Sequence, residues 1–444
     1  MRQPLLMSRL QSWKAFLAPK LRRVAELFVS QGIALAGNLL YGFLCVRLLP
    51  IPDYAKYSVV FSVLAALTLL MDIGFSGALL PLIGERIDDL DLIADYVASL
   101  RQLAHWLFLL VAPLTIVFFP LLVHHQHWSW QVVAGMIAIL LVASWCARVV
   151  GAYGAVLIVR RDRGSWYRAQ IVSSLGGLAL LGAFWAIHRL NALSAILINV
   201  AGIVYISLAY YYRARRLLKT PGRPSERKRK EIVHLALPNV PDAIFYVLQG
   251  QVSLVLITAF GYASGVASVG ALTRLSQIYA LATPMNILLV EPYFARLPKA
   301  NLKRDYLLAL AVLTAIGGSV VLLAALFPKL FLWVLGPKYA GLRFEVLLVI
   351  IASSCRYISA TMWIIHNARK FVYWWRTWAW ITSMIIVTAI FLWKADLSTV
   401  SGVLMLSVAT AAAGLALTIT TGIYGFVRGP RELKKNPFRL LLTR

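Results

Sequence analysis

The stretch VGALTRLSQIYALATPMNILL, residues 269–289, decides how this chain must be read. It is almost wholly apolar, yet Arg274 sits inside it with no aspartate or glutamate within two helical turns. In a soluble core a guanidinium without a carboxylate is strongly disfavoured by desolvation. A run of about 20 apolar residues is also the length that crosses a bilayer. A charge inside such a run points to a cavity, a partner or a watery path.

Composition extends the membrane reading to the whole chain. Of 444 residues, 60% are hydrophobic and 14% are charged, with a mean hydropathy of +0.76. A soluble domain is about half apolar and about a quarter charged. The class is therefore an all-α polytopic membrane protein. Twelve apolar runs predict spanning helices at 25–46, 57–83, 102–123, 130–158, 170–188, 192–212, 236–259, 265–295, 306–327, 345–366, 376–393 and 399–426. The second and eighth are long and are expected to tilt or to extend beyond the hydrocarbon.

Charge orients the bundle. With the N-terminus inside, the inward segments carry 34 lysines and arginines. The outward ones carry 7: Arg47, Lys56, Arg189, Lys329, Lys338, Arg343 and Lys394. This bias predicts both termini in the cytoplasm. It also accounts for most of the formal net charge of +27, so nucleic acid is not needed as a partner. Trp128 and Trp130 on one side, and Tyr373, Trp374, Trp375 and Trp378 on the other, fit interfacial aromatic belts.

The organisation expected is a basic cytoplasmic segment (1–23), six spans (24–212), a basic linker (213–234), six more spans (235–427) and a basic tail (428–444). The first apolar run exceeds 20 residues and no small-residue cleavage site follows it, so it reads as a retained span. The linker, beginning RARRLLKTPGRPSERKRK, contains Pro221, Gly222 and Pro224 and is expected to be mobile. It is a topology signal that can also attract anionic lipid or acidic partners. Cys45, Cys146 and Cys355 are far apart and apolar in context, indicating neither a disulfide framework nor a metal site. His124, His125 and His127 have no carboxylate or cysteine nearby and read as an interfacial loop. No cofactor is expected: there is no phosphate-binding glycine loop, and hence no direct use of ATP.

After the first span the chain reads VRLLPIPDYAKYSVVFSVLAALTLLMDIGFSGALL. This resembles the polysaccharide exporter family, which includes the O-antigen flippases and belongs to the multidrug/oligosaccharidyl-lipid/polysaccharide exporter superfamily. Arg47, Leu48, Leu49, Tyr54, Tyr57 and Ser58 match the family pattern, whereas Pro50, Ile51 and Ala55 depart from it. Asp72, Gly74 and Ser76 match a later Asp-x-Gly-x-Ser, and Gly336, Pro337 and Tyr339 match a Leu-Gly-Pro-x-Tyr segment after the ninth span. The resemblance implies two six-helix lobes around a central cavity in a bacterial inner membrane. It implies movement of a polyprenyl-diphosphate-linked oligosaccharide from the cytoplasmic to the outer leaflet for surface polysaccharide, including the O-antigen of lipopolysaccharide. Implied partners are that glycan lipid, membrane lipid, and polysaccharide polymerase and chain-length machinery.

Independently of the family, the intramembrane polar groups are candidates for substrate contact. Arg148, Arg274 and Arg356 lie within spans. Arg148 and Arg356 are 12 and 13 residues from the next cytoplasmic arginine, or ~18–20 Å along a helix. Cavity lining and structural pairing are both open for all three, and Arg274 can also snorkel outward. On the seventh span Asp242, Tyr246, Gln249 and Ser253 form one polar stripe, and Asn38 belongs to a looser one on the first. Asp72, Asp242 and Glu291 can carry a coupling ion or pair structurally. Pro238, Pro241 and Pro284 interrupt spans seven and eight, as either binding-site breaks or plain kinks. Arginines suit a diphosphate, because a guanidinium presents paired planar donors.

Two other functions fit the same outline. An ion-coupled exporter of a small solute or drug can also have twelve spans and a central loop. The loop GERIDDLDLIADY between spans two and three is acidic, however, not the basic glycine motif of the major facilitators. A membrane glycosyltransferase or polymerase is expected to show a periplasmic catalytic loop or an acidic donor-binding cluster, and neither is read from the sequence.

Overall fold

The computed structural model describes residues 31–429, except 85, 87, 161, 219, 238–239, 283–285, 287–289 and 372. The segments 1–23 and 430–444 therefore lie outside it. Helices cross the molecule twelve times. The first six crossings are α1 (Gln31–Leu48), α2 (Ile51–Leu70), α4 (Leu90–Val123), α5 (Trp130–Val159), α6 (Arg163–Ala186) and α7 (Ala192–Leu218). The last six are α9 (Val240–Phe260), α10 (Ala263–Ser276), α12 (Lys299–Leu326), α14 (Arg343–Ala368), α15 (Trp374–Lys394) and α16 (Val400–Arg428). Four short helices connect them: α3 (Leu79–Ile83), α8 (Glu226–Ala236), α11 (Glu291–Arg296) and α13 (Pro328–Leu335). Among the described residues, ten of the twelve crossings are long and apolar enough on their own to span a membrane.

The second and eighth spans depart from a single long helix. α2 stops at Leu70, and Ile73 and Gly74 take positive φ values of 41° and 83°. The cause is Asp72. Its carboxylate accepts from the Ser76 amide at 2.8 Å and from the Ser76 hydroxyl at 2.5 Å, which competes with the helical ladder. Gly74 reaches the left-handed region without a Cβ penalty. The Asp-x-Gly-x-Ser motif is thus a device that ends one helix and starts the next turn. In the eighth span, α10 ends at Ser276 and tightens into a 3₁₀ turn over Gln277–Leu281. Thr273 contributes by donating back to the Gly270 carbonyl at 2.9 Å. Pro238 and Pro284 lie outside the described residues.

The linker, expected to be mobile, is folded against α4. That helix begins at Leu90, well before the predicted 102, and its 34 residues make ~51 Å, against a hydrocarbon core of about 30 Å. Its first turns bury Ile93 and Val97 in the core of the first half and present acids to the linker. Asp91 accepts from Thr220 at 2.8 Å, and Asp95 takes the Arg223 amide and the Lys228 ammonium, both at 2.7 Å. Ser99 accepts from the Ser225 amide at 3.0 Å. Glu231 of α8 accepts from Tyr96 and pairs with Arg227 at 3.0 Å. The Tyr96 hydrogen bond, with Arg227, holds the Glu231 carboxyl below its ordinary range. A depressed carboxylate stabilises above its unfolded pKa of about 4.3 and loses that contribution as pH falls through the folded value. Acidification below about pH 4 is therefore expected to loosen α8 from α4, read as lower amide protection factors in 226–236 after correction for intrinsic exchange. Equal protection factors at pH 7 and about pH 3 would contradict the role given to Glu231.

Burial shows how the two halves meet. At the end carrying the connections 48–51 and 327–343, a single core joins both halves, with Tyr57, Val60 and Leu64 of α2 packed among Val269, Leu272 and Leu275 of α10. Gly270 allows this approach: a Cβ there would fall 2.4 Å from Ser58 Oγ. At the linker end the core divides. One part belongs to the first half and α8, including Leu79, Val97, Tyr210 and Ile232. The other belongs to the second half, including Phe294, Tyr306, Ile365 and Phe371. The halves are therefore fused at the far end and part toward the linker end.

Candidate functional site

A cavity of about 210 Å³ lies on the seam between the halves. α2 supplies Ser58 and Ser62, α9 supplies Gln251 and Ser253, and α10 supplies Arg274. Arg356 of α14 and Ser407 of α16 close the other side. Among the described residues no carboxylate lines it.

Arg274 is only 5% exposed. Its guanidinium lies 4.0 Å from the centre of the Phe61 ring, and Nη2 donates to the Tyr57 hydroxyl at 3.4 Å. Gly42 leaves room on the opposite side, where a Cβ would stand 3.2 Å from Nη1. Stacking on a desolvated ring is worth up to about 2 kcal/mol, which offsets part of the burial. A guanidinium has five N–H donors in a rigid fork, and one long bond to Tyr57 leaves most of that capacity for a ligand. Arg356 donates to Ser407 Oγ at 2.6 Å beside it. Ser58 Oγ is buried without a hydrogen-bond partner among the described residues. A buried orphan hydroxyl on a cavity wall suits a polar ligand.

The other sequence candidates are scattered. Arg148 of α5 lines a different cavity, stacked 3.7 Å over Trp145 and bonded to His105 at 3.1 Å. Asn38 is exposed on α1 and Gln249 is half-buried on α9, and neither lines the cavity. The side chains of Asp242 and Tyr246 lie outside the described part of the structure. Glu291 opens α11, half-buried. Asp72 is occupied by Ser76 and sits against Gly151 of α5. Asp72→Ala removes both bonds at the helix break and is expected to cost about 1–3 kcal/mol. Asp72→Asn should cost less, with no change in the pH profile of transport; a shifted profile would return Asp72 to ion coupling.

Ser58, Ser62, Gln251 and Ser407 are cavity residues that the sequence candidates did not include. A signal was present for the first two. Ser58, Phe61, Ser62 and Ala65 recur at helical spacing along one face of α2. Gln251 carried none, because its neighbours Gln249 and Ser253 fitted a stripe that excludes it.

The two segments that carried the family resemblance touch each other at the far end. Lys338 Nζ donates to the carbonyls of Arg47 at 2.9 Å and Leu49 at 2.7 Å. Arg47 donates to the Trp333 carbonyl at 2.6 Å and stacks 5.1 Å from its ring centre. Gly336 turns the chain at φ 101°, with Arg47 Cγ 3.5 Å from where a Cβ would be. This latch ties the end of α1 to α13. Lys338→Met is expected to loosen it and lengthen the distance between spin labels at Lys56→Cys and Tyr262→Cys by several ångström. An unchanged distance distribution would show that the apolar core alone holds this end shut.

No protein-family model matches the chain, and no curated protein matches its sequence. Solved structures do match. The chain is similar to the inward-facing conformation of a multidrug resistance MATE family transporter of the MOP superfamily, with a TM-score of 0.65 at 15% identity over 88% of this chain and 93% of that one. It is similar to the inward closed conformation of the lipid II flippase MurJ, with a TM-score of 0.60 at 13% identity over 90% and 89%. MATE in the bent conformation scores 0.57 at 16% identity over 91% and 94%. At these identities it is the fold that is shared: the chain folds as the MOP superfamily transporters do, with twelve crossings in two six-helix lobes.

Proposed function

We propose that the protein is a flippase that carries a polyprenyl-diphosphate-linked oligosaccharide across the bacterial inner membrane for surface polysaccharide assembly. The observation that carries this reading is Arg274, a buried guanidinium in a cavity on the seam between the halves that no carboxylate among the described residues lines. A diphosphate needs paired donors, and the glycan needs a route that avoids hydrocarbon. The linker end is the cytoplasmic one, by the bias of basic residues. The parting of the core there offers the headgroup a way in, while the prenyl tail stays in lipid. Release follows when the far-end latch opens and the linker ends close. A cytoplasm-negative potential favours outward movement of an anion by ~2.3 kcal/mol per charge per 100 mV.

The O-antigen class of glycan rests on the resemblance of residues 47–58, 72–76 and 336–339. A second reading, export of a small solute, draws on the cavity's modest volume. A cationic drug would meet two arginines there and, among the described residues, no carboxylate, so the small-solute reading favours an anion.

The test is the leaflet distribution of lipid-linked oligosaccharide in cells lacking the protein. Accumulation on the cytoplasmic leaflet with loss of surface polysaccharide is the expected result. Unchanged distribution with intact polysaccharide would remove the flippase reading and leave the small-anion exporter.

A further inference from the structure

The first half contains a second cavity, of about 480 Å³, remote in the fold from the seam. α4 supplies Arg101, Gln102 and His105; α5 supplies Trp145, Arg148 and Tyr153. Tyr211 of α7 and Pro224 of the docked linker complete its wall. Arg148 is 8% exposed, and its Nε is buried without a hydrogen-bond partner among the described residues. Its guanidinium rests on the Trp145 ring, and Nη1 contacts His105 Nδ1. Arg101 stands at the exposed mouth and donates to the Tyr153 hydroxyl at 2.9 Å. Among the described residues no carboxylate lines the cavity. A third guanidinium, Arg229 of α8, donates to Gln102 at the rim and stacks 5.0 Å from the centre of Trp106.

Two guanidiniums sharing one cavity repel each other, and aromatic stacking does not neutralise either. Only an anion does so. Its shape is constrained. Arg148 presents the inner face, Arg101 and Tyr153 the outer, so the ligand must accept from several directions, as a phosphate group does. The cavity is also lined by the exposed Trp145 ring, and the exposed Trp106 ring lies under Arg229 outside it. That juxtaposition of cationic wall and apolar rim suits a phosphate carried on a lipid. α4 leaves the hydrocarbon near Arg101, which sets the mouth of the site toward headgroup depth, with Arg148 deeper along α5.

We infer that Arg101 and Arg148 form a phosphate-binding site for a lipid headgroup in the linker-side leaflet, separate from the Arg274 cavity. The site does not depend on what the seam cavity transports. It gives the docked linker a purpose, since Pro224 closes one wall only while α8 stays on α4.

The test is native mass spectrometry of the full-length protein released from detergent, with lipid added back. Four probes are titrated: phosphatidylglycerol, phosphatidylcholine, a polyprenyl diphosphate and inorganic phosphate. Arg148→Gln and Arg101→Gln are each expected to weaken one lipid-binding event about tenfold, the loss of a charge-assisted bond; Arg274→Gln should leave that event unchanged. Weakening confined to phosphatidylglycerol assigns the site to a bilayer lipid. Weakening confined to the polyprenyl diphosphate assigns it to a substrate lipid approaching the seam. If only inorganic phosphate responds, or phosphatidylcholine binds as well as phosphatidylglycerol in every variant, the lipid-headgroup site is overturned. Arg101 is exposed, so Arg101→Gln keeps the test valid if Arg148→Gln does not fold. Equal binding by Arg101→Gln and the parent protein would also overturn it.

Discussion

Arg274→Met is expected to lower transport of the lipid-linked substrate about 100-fold or more while leaving the thermal midpoint equal or higher. The two effects have separate origins. A diphosphate held by two charge-assisted bonds loses roughly 1.5–3 kcal/mol for each. The folded protein, by contrast, sheds a buried charge whose insertion costs roughly 2.5–3.5 kcal/mol, against about 2 kcal/mol of stacking on Phe61. Methionine fills the same space between Phe61 and Gly42. Arg274→Lys keeps the charge but not the planar fork, so partial transport is expected. The measurement is surface polysaccharide together with the melting temperature of the purified variant. A methionine variant that melts much lower would make Arg274 a structural residue, and full transport would end its role in binding.

Gly222→Ala is expected to detach the linker. A Cβ at 222 would lie 2.0 Å from the carbonyl carbon and oxygen of Ala94 and 2.5 Å from the Asp95 nitrogen. These are backbone atoms of α4, so no side chain can turn aside. The linker must lift, and with it go the bonds from Thr220, Arg223, Ser225 and Lys228. The expected loss is on the order of 2 kcal/mol or more. Trypsin should then cleave within 219–230 at least about tenfold faster, since cleavage follows the population of the opened form. Unchanged proteolysis would show that the glycine contact is not what seats this segment. The same variant bears on the lipid site, because Pro224 moves with Gly222.

How much of this was legible beforehand varies by element. The helix limits of α5, α14, α15 and α16 follow the apolar runs within a few residues. Those runs have polar ends, and a single arginine inside α5 or α14 does not break the helical ladder, so length marks them. α2 was overextended, since hydropathy does not register a carboxylate that caps its own chain, and the eighth span changes helix type after Ser276 where Thr273 bonds back. α4 was undercut. Its first turns are polar because they leave the membrane, and a hydropathy window stops where the hydrocarbon does. The linker was misjudged for a related reason. Proline, glycine and a run of like charge do read as mobile, yet Asp91 and Asp95, distant in sequence, neutralise and seat it.

The three buried arginines show the same division. Each was visible as a charge in an apolar span, because a guanidinium there is costly in any fold. Their grouping was not visible. Arg274 and Arg356 share a cavity, while Arg148 faces Arg101 in another. By itself, then, the sequence determined membrane insertion, the number of crossings and which ones carry charge, since these depend on local transfer free energy along the chain. Only the tertiary structure decided which charges meet, where the halves are latched and where they part, since these depend on packing between helices that are remote in sequence.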